Sequence, residues 1–172
     1  MASTRSSCTQ PTLRPETPED ATFLLRLYAE SRATEVASFG WPEPQVQAFM
    51  RMQFDAQTAH YRHAYPDAEF LIVEYAGEAI GRLCEHRGNS LVNLVDISLL
   101  SRWRGAGIGS ALLTGLLARA NAARLPVELH VARDNPAARL YQRFGFCVVG
   151  DDGLHLRMRL ETGQDDGQEK SV

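Results

Sequence analysis

Apolar positions along the chain switch between a spacing of about two and one of about 3.6, and each switch separates a strand from a helix. A short strand is expected at 12–14, ahead of Pro15. Thr17, Pro18, Glu19 and Asp20 then make a helix start, with a threonine cap, an early proline and acids in the first turn. That helix is expected to reach about Ala33, with Phe23, Leu24, Leu27 and Tyr28 on its apolar face. A loop through Phe39, Gly40, Trp41 and Pro42 leads into a second helix over 43–62. Its stripe runs Val46, Phe49, Met50, Gln53, Gln57 and Tyr61, so two amides interrupt an apolar face. Either the stripe drifts to the surface halfway along, which is the plainer account, or the glutamines line a polar pocket.

Three strands are expected next, at 69–75, 78–87 and 90–100. The links Ala76-Gly77 and Gly88-Asn89 are short and turn-forming, which favours an antiparallel meander. A glycine-rich turn follows, then a helix over 110–122 with Ala111, Leu112, Leu116 and Ala120 at helical spacing. The chain continues with a strand at 127–131 and a helix at 135–144. Two further strands, at 147–150 and 154–160, flank Asp151-Asp152-Gly153. There is no internal repeat, and the order describes a mixed α/β domain. The polar segments 1–10 and 162–172 read as disordered tails, which leaves a single domain over 11–161.

Composition narrows the classes of function. A chain of 172 residues with 44% hydrophobic content is enough for one globular core. Eighteen basic and 21 acidic residues leave a net charge of -3, and no basic stripe carries interleaved aromatics, so nucleic acid is not an expected partner. Cys8, Cys84 and Cys147 are odd in number and far apart, which speaks against a disulfide framework or a zinc site and suits a reducing compartment. No apolar run approaches the roughly 18–20 residues of a membrane span. The first ten residues lack the apolar stretch of a signal peptide. A soluble, cytoplasmic protein is expected.

The most telling stretch is Arg104-Gly105-Ala106-Gly107-Ile108-Gly109-Ser110, placed between a strand and a helix. Such a turn leaves helix N-terminal amides unpaired at the positive end of the dipole, a setting for phosphate. Glycine permits the tight turn and the close approach of an anion. A Walker loop would need lysine after the last glycine, but Ser110 and Ala111 stand there. A dinucleotide fingerprint would want its third glycine at position 110 and an acid at the end of the next strand, whereas Glu128 lies near that strand's start. The remaining candidate is a turn that holds the pyrophosphate of coenzyme A.

Arg104-x-x-Gly107-x-Gly109 after a strand resembles the acyl-CoA-binding motif of the GNAT superfamily of N-acetyltransferases. A second stretch, Val131-Ala132-Arg133-Asp134-Asn135-Pro136-Ala137 continuing through Leu140-Tyr141 to Gly145-Phe146, is similar to that superfamily's other signature. The element order between 12 and 160 matches as well. The resemblance implies a mixed, mostly antiparallel sheet of about seven strands flanked by four helices, the fourth and fifth strands splayed around acyl-CoA. It implies that the amides of Arg104, Gly105, Ala106, Gly107, Ile108, Gly109 and Ser110 hold the pyrophosphate. Leu99 would offer its backbone to the pantetheine arm and the thioester, Asn135 would meet the pantetheine or adenylate side, and Tyr141 would lie near the sulfur. The region 31–61, with Arg32, Glu35, Trp41 and Gln53, resembles a bacterial branch of the superfamily and supplies the expected acceptor contacts.

Plainer readings stand beside these. Asn135 precedes Pro136 at a helix start and can serve as a cap, with or without a ligand role. Tyr141 lies among Ala138, Leu140 and Phe144 and can be core, although the glycine turn favours a hydroxyl in the cleft. Arg104 can be a solvated loop charge, but a cation beside a phosphate turn is reasonable chemistry. Gly145 reads as a helix terminator. Cys84 sits in a strand without an activating partner, so an acyl-cysteine route is disfavoured.

The implied reaction needs a neutral amine, donors for the developing oxyanion and an acid for the departing thiolate. Backbone amides suit the second need, and a phenol with a pKa near 10 suits the third. The first is less determined. In the superfamily the base is often a carboxylate on the fourth strand, but the usual position falls near Asn93. Asp96 is close, and alternation turns it to the other face unless a bulge intervenes. Asp96, Glu35, Glu85 and His86 stay open as bases, and a solvated or structural role competes for each. Asp96 joins Tyr141 as the catalytic set. The expected activity is transfer of acetyl from acetyl-CoA to a primary amine of a small molecule or peptide, with no metal, and a homodimer is compatible with it. The alternative is a non-catalytic acyl-CoA-binding or sensory module.

Overall fold

A computed structural model describes residues 10–162; the expected tails, apart from Gln10 and Thr162, and Cys8 lie outside the described residues. The elements run β1 (Thr12–Pro15), a 3-10 turn (Pro18–Asp20), α1 (Ala21–Ala37), α2 (Glu43–Ala64), β2 (Glu69–Tyr75), β3 (Glu78–Arg87) and β4 (Val92–Leu99). A second 3-10 turn (Ser101–Trp103) precedes α3 (Ile108–Ala122), β5 (Val127–Ala132), α4 (Ala137–Arg143), β6 (Cys147–Asp151) and β7 (His155–Leu160). The strands form a seven-stranded sheet in the order β1-β2-β3-β4-β5-β7-β6. The β4–β5 pair is parallel, while β1–β2, β2–β3, β5–β7 and β6–β7 are antiparallel, so the sheet is mixed and mostly antiparallel.

The described residues pack as two compact units, one comprising 10–85 together with 96–112, the other 86–95 together with 113–162. In the first unit the expected helix start is present in a tighter form. The Thr17 amide donates to Asp20 Oδ2 at 2.8 Å, and Arg14 grips both Asp20 oxygens at 2.7 Å. The Arg14 guanidinium, with help from Thr17 and against the effect of burial, pulls the Asp20 carboxyl down to about 2. Arg14 also reaches Glu74 at 2.7 Å, which ties β1 to β2 through its side chain. Leu24 and Leu27 of α1, Phe54 of α2, Ile72 of β2 and Leu100 close the core of this unit, with Tyr28 and Trp103 packed against it.

Helix α1 continues four residues beyond the expected end, because 34–37 contains no breaker and Val36 finds a buried position. Strand β4 is shorter than expected at both ends. Gly88 N–H bonds to Leu91 O at 3.0 Å in the preceding turn, and Trp103 N–H bonds to Leu100 O at 2.9 Å in the 3-10 turn that follows. Helix α3 begins at Ile108, two residues before the expected start, and α4 at Ala137, two residues after it.

In the second unit β5 pairs in parallel with Val92–Leu94 of β4 and in antiparallel fashion with β7 along its whole length. Val127, Leu129, Met158, Leu113 and Leu116 are buried there at 2% exposure or less, which marks this unit's core. Gly145, at φ 92°, ends α4 as expected, and Phe146 N–H bonds to Tyr141 O at 3.1 Å in the turn that follows.

One glycine of the first unit is required by close approach. A Cβ on Gly81 of β3 would lie 2.3 Å from the Ser98 carbonyl oxygen and 2.6 Å from Leu99 Cδ2. The end of β4 therefore occupies the space a side chain would need. Gly81→Ala is expected to lower stability by about 1–3 kcal/mol, the usual cost of forcing extra volume into a packed site. Urea unfolding of the two proteins measures it, and equal midpoints would show that the β4 end can yield without cost.

Candidate active site

The glycine turn is held from three sides within the first unit. Ser101 N–H donates to Glu30 Oε2 of α1 at 3.1 Å, and that bond is the main reason the Glu30 carboxyl sits below its ordinary range. Trp103 packs against the core and meets the Tyr75 ring at 5.1 Å. Arg104 then folds back so that its Nε donates to Leu99 O at 2.9 Å. Gly105 and Gly107 adopt φ of 73° and 80°, a region that costs other L-residues roughly 1–2 kcal/mol. Ala111 N–H bonds to Gly107 O at 3.0 Å. The amides of Ile108, Gly109 and Ser110 therefore precede the first full turn of α3, at the positive end of its dipole.

The same unit brings three of the four expected acceptor residues together. Arg32 and Glu35 of α1 and Gln53 of α2 line a small open cavity of about 50 Å³ with Tyr28, Phe49 and Met50. Arg32 Nη1 donates to Glu35 Oε2 at 2.9 Å, and its guanidinium lies 5.8 Å from the Tyr28 ring centre. Trp41 does not line the cavity. It stacks edge-on against Phe49 at 5.4 Å and lies 4.9 Å from Phe39, and so joins the cavity through the Phe49 ring.

Gln57 follows neither account of the α2 stripe. Its Oε1 accepts from Arg82 Nη2 at 3.3 Å, a contact to a guanidinium inside the fold. Arg82 is only 5% exposed and pairs with Asp96 of β4, Nε and Nη2 reaching Oδ2 at 2.8 and 2.7 Å. Ser98 Oγ donates to the same oxygen at 3.1 Å. Burial works against the Arg82 charge, and the Asp96 carboxylate more than offsets it. Burial, with the nearby Asp96 charge, also raises the Tyr61 phenol, and burial pushes the Cys84 thiol up to about 12. Cys84 is therefore an inert thiol.

Alternation along β4 places Asp96 and Ser98 on the face that meets Arg82. Asn93, on the opposite alternation, lies in the second unit, where its Nδ2 is 3.4 Å from His86 Nδ1. Of the other candidate bases, Glu35 is paired with Arg32 and Glu85 is buried. Arg82, the partner of the candidate base, is the residue that sequence reasoning missed. The signal was an arginine set between Ala79-Ile80-Gly81 and Leu83-Cys84 in β3, but recognising it required knowing what faces it on β4.

The remaining expected residues belong to the second unit. Asn135 Oδ1 accepts from Ala137 N–H at 2.9 Å, so its side chain caps the start of α4. Tyr141 is 6% exposed and packs edge-on against Phe146 at 5.8 Å.

The model of the acetyltransferase (GNAT) family matches residues 26–146, most of the chain and both signature stretches. The chain belongs to the GNAT family. No curated protein matches it in sequence. Among solved structures it is similar to the PaiA N-acetyltransferase of Thermoplasma acidophilum in complex with coenzyme A, at 19% identity, TM-score 0.65, and 88% and 99% coverage of the two chains. It is also similar to a structure from Corynebacterium glutamicum described as histone acetyltransferase HPA2 and related acetyltransferase, at 24% identity, TM-score 0.64, and 91% and 99% coverage. At these identities the likeness concerns the fold. As a GNAT enzyme the chain is an acetyl-CoA-dependent acyltransferase, and the donor set at the α3 start fits a pyrophosphate: three leading amides, two glycines with positive φ and a neighbouring arginine.

Gly107 meets no atom within 4 Å of a built Cβ, so a side chain there would project into open space at a strained φ. Gly107→Val is therefore expected to leave the chain folded while weakening coenzyme A binding by at least about tenfold, the equivalent of 1.4 kcal/mol. Titration calorimetry on the folded variant checks this. Wild-type affinity would remove the turn from the phosphate site.

Proposed function

We propose that this GNAT enzyme transfers acetyl from acetyl-CoA directly to a primary amine of a small molecule or peptide, in the cytoplasm. The observation that carries the proposal is the glycine turn at the start of α3, which shares its unit with a cavity bearing a cation, a carboxylate and an amide. The amides from Arg104 through Ser110, including Gly105, Ala106, Gly107, Ile108 and Gly109, hold the pyrophosphate. The Leu99 carbonyl accepts from Arg104 and keeps a second lone pair, so the Leu99 backbone remains available to the pantetheine arm. Asn135 serves the cofactor with the part of its side chain that the Ala137 cap does not use. Arg32, Glu35 and Gln53 bind the acceptor, and Trp41 with Phe49 forms an apolar edge beside them.

In the reaction Asp96 takes the proton of the attacking nitrogen, directly or through one water. The new carbon–nitrogen bond forms as the carbon–sulfur bond breaks, and the Tyr141 phenol gives its proton to the departing sulfur. Solvent then restores both groups. No helix among the described residues is long and apolar enough to cross a membrane. Among them, too, no cluster of three or more His, Cys, Asp or Glu side chains could hold a metal.

Thiol release from acetyl-CoA across a panel of amines, with the acetylated product confirmed by mass, tests this reading. Coenzyme A binding without turnover on any amine would contradict it. With the acceptor in hand, Tyr141→Phe keeps the ring packing and removes only the hydroxyl. Turnover is expected to fall by about 10²–10⁴-fold, the range for one acid–base group, with acetyl-CoA affinity little changed. Unchanged turnover, with chemistry rate-limiting, would leave Tyr141 as core packing. Gln53→Leu is expected to raise the acceptor KM and leave kcat and acetyl-CoA affinity unchanged, the signature of lost ground-state binding. Equal KM values for the two proteins would take Gln53 out of the acceptor site.

A further inference from the structure

The pair between buried Arg82 of β3 and partly exposed Asp96 of β4 does more than neutralise two charges. Arg82 Nε and Ser98 Oγ donate to Oδ2 of Asp96, and Arg82 Nη2 lies 2.7 Å from the same oxygen. Oδ1 accepts no hydrogen bond among the described residues, and the Asp96 side chain keeps 21% exposure against 6% for Arg82. Arg82 is itself fixed from α2, through Gln57 Oε1 at 3.3 Å and the Tyr61 ring 5.8 Å from its centre. For stability alone such a pair is a poor choice, because packed apolar side chains of similar size often serve as well or better. Within the cluster Tyr61 and Cys84 hold their protons, and arginine, serine and glutamine cannot accept one, so proton acceptance falls to Asp96.

We infer that Arg82 is a positioning residue for acetyl transfer: by occupying Asp96 Oδ2 it fixes the carboxylate and leaves Oδ1 as the oxygen that receives the amine's proton. The inference rests on the reading of Asp96 as base. Ser98 strengthens the same hold from β4, and Gln57 transmits it to α2, the helix that carries Gln53 of the acceptor cavity. The carboxylate and the acceptor helix are thereby set by a single guanidinium. A lysine at 82 would keep the charge but replace a two-point planar grip with a single point that cannot fix the carboxylate's rotation.

The test is a double-mutant cycle on the full chain with Arg82→Lys, Asp96→Asn and the two combined, using the amine found by thiol release. Asp96→Asn is expected to lower kcat by about 10²–10⁴-fold. Arg82→Lys is expected to lower kcat by about tenfold or more through misplacement of the carboxylate, with the acetyl-CoA KM unchanged. Added to Asp96→Asn, Arg82→Lys should cost nothing further, which a merely structural arginine would not produce. Should Arg82→Lys fail to fold, Ser98→Ala removes one donor to Oδ2 without touching the charge pair, and it should lower kcat only when Asp96 is present. Losses that multiply across the two backgrounds, or an Arg82→Lys enzyme with wild-type kcat beside an impaired Asp96→Asn enzyme, would overturn the positioning role. Wild-type turnover in Asp96→Asn would instead overturn the assignment of the base, and Arg82 with it.

Discussion

Strand β4 carries the partner of a buried cation and a close backbone approach within three residues. Asp96 is held from β3 by a guanidinium that is itself almost wholly buried, and two residues on the Ser98 carbonyl fills the space left by Gly81. Removing Asp96 would leave the buried Arg82 cation unpaired, and a Cβ at 81 would collide with backbone, so the path of β4 has little freedom. That path decides where Leu99 ends the strand. Leu99 in turn anchors Arg104, and the glycine turn starts from Arg104. Glu30 and Trp103 brace the same segment from α1 and the core. The phosphate site proposed for this turn needs such support, since misplacement by an ångström is enough to lose most of its effect.

How much of this could be read in advance depends on whether the signal is local. The glycine turn was legible because Gly105 and Gly107 take positive φ, a requirement that almost fixes the residue type. The Gly145 terminator and the Asn135 cap were legible for the same reason, each being satisfied by bonds to neighbours within a few positions. Seven strands and four helices followed from periodicity, and their ends shifted where tertiary packing chose them. Helix α1 runs on to bury Val36, and β4 gives way after Leu99 to the 3-10 turn Ser101–Trp103.

The candidate base shows the limit of local reasoning. Alternation correctly separated Asp96 from Asn93, but it could not say what Asp96 would face. The answer, Arg82, depends on the register of β3 against β4 and on the placement of α2 over both, which no spacing in the sequence encodes. Gln57 illustrates the same point, since its partner lies 25 positions away and its polar role is to satisfy a buried cation. Of the cavity between α1 and α2 the polar members Arg32, Glu35 and Gln53 were legible but the apolar lining and the shape were not, and Trp41 is a neighbour of Phe49 instead of a lining residue.

The central claim is that this GNAT enzyme binds acyl-CoA by the turn at the head of α3. The direct measurement is the melting temperature of the wild-type chain titrated with acetyl-CoA, coenzyme A and NAD. A ligand that binds only the folded state stabilises it by RT ln(1 + [L]/Kd), so at about a hundredfold excess over Kd the gain is about 2.7 kcal/mol. The account predicts a melting temperature that climbs with the logarithm of acetyl-CoA or coenzyme A concentration and does not move with NAD. A melting temperature indifferent to both acyl-CoA ligands, or one that climbs with NAD, would contradict it.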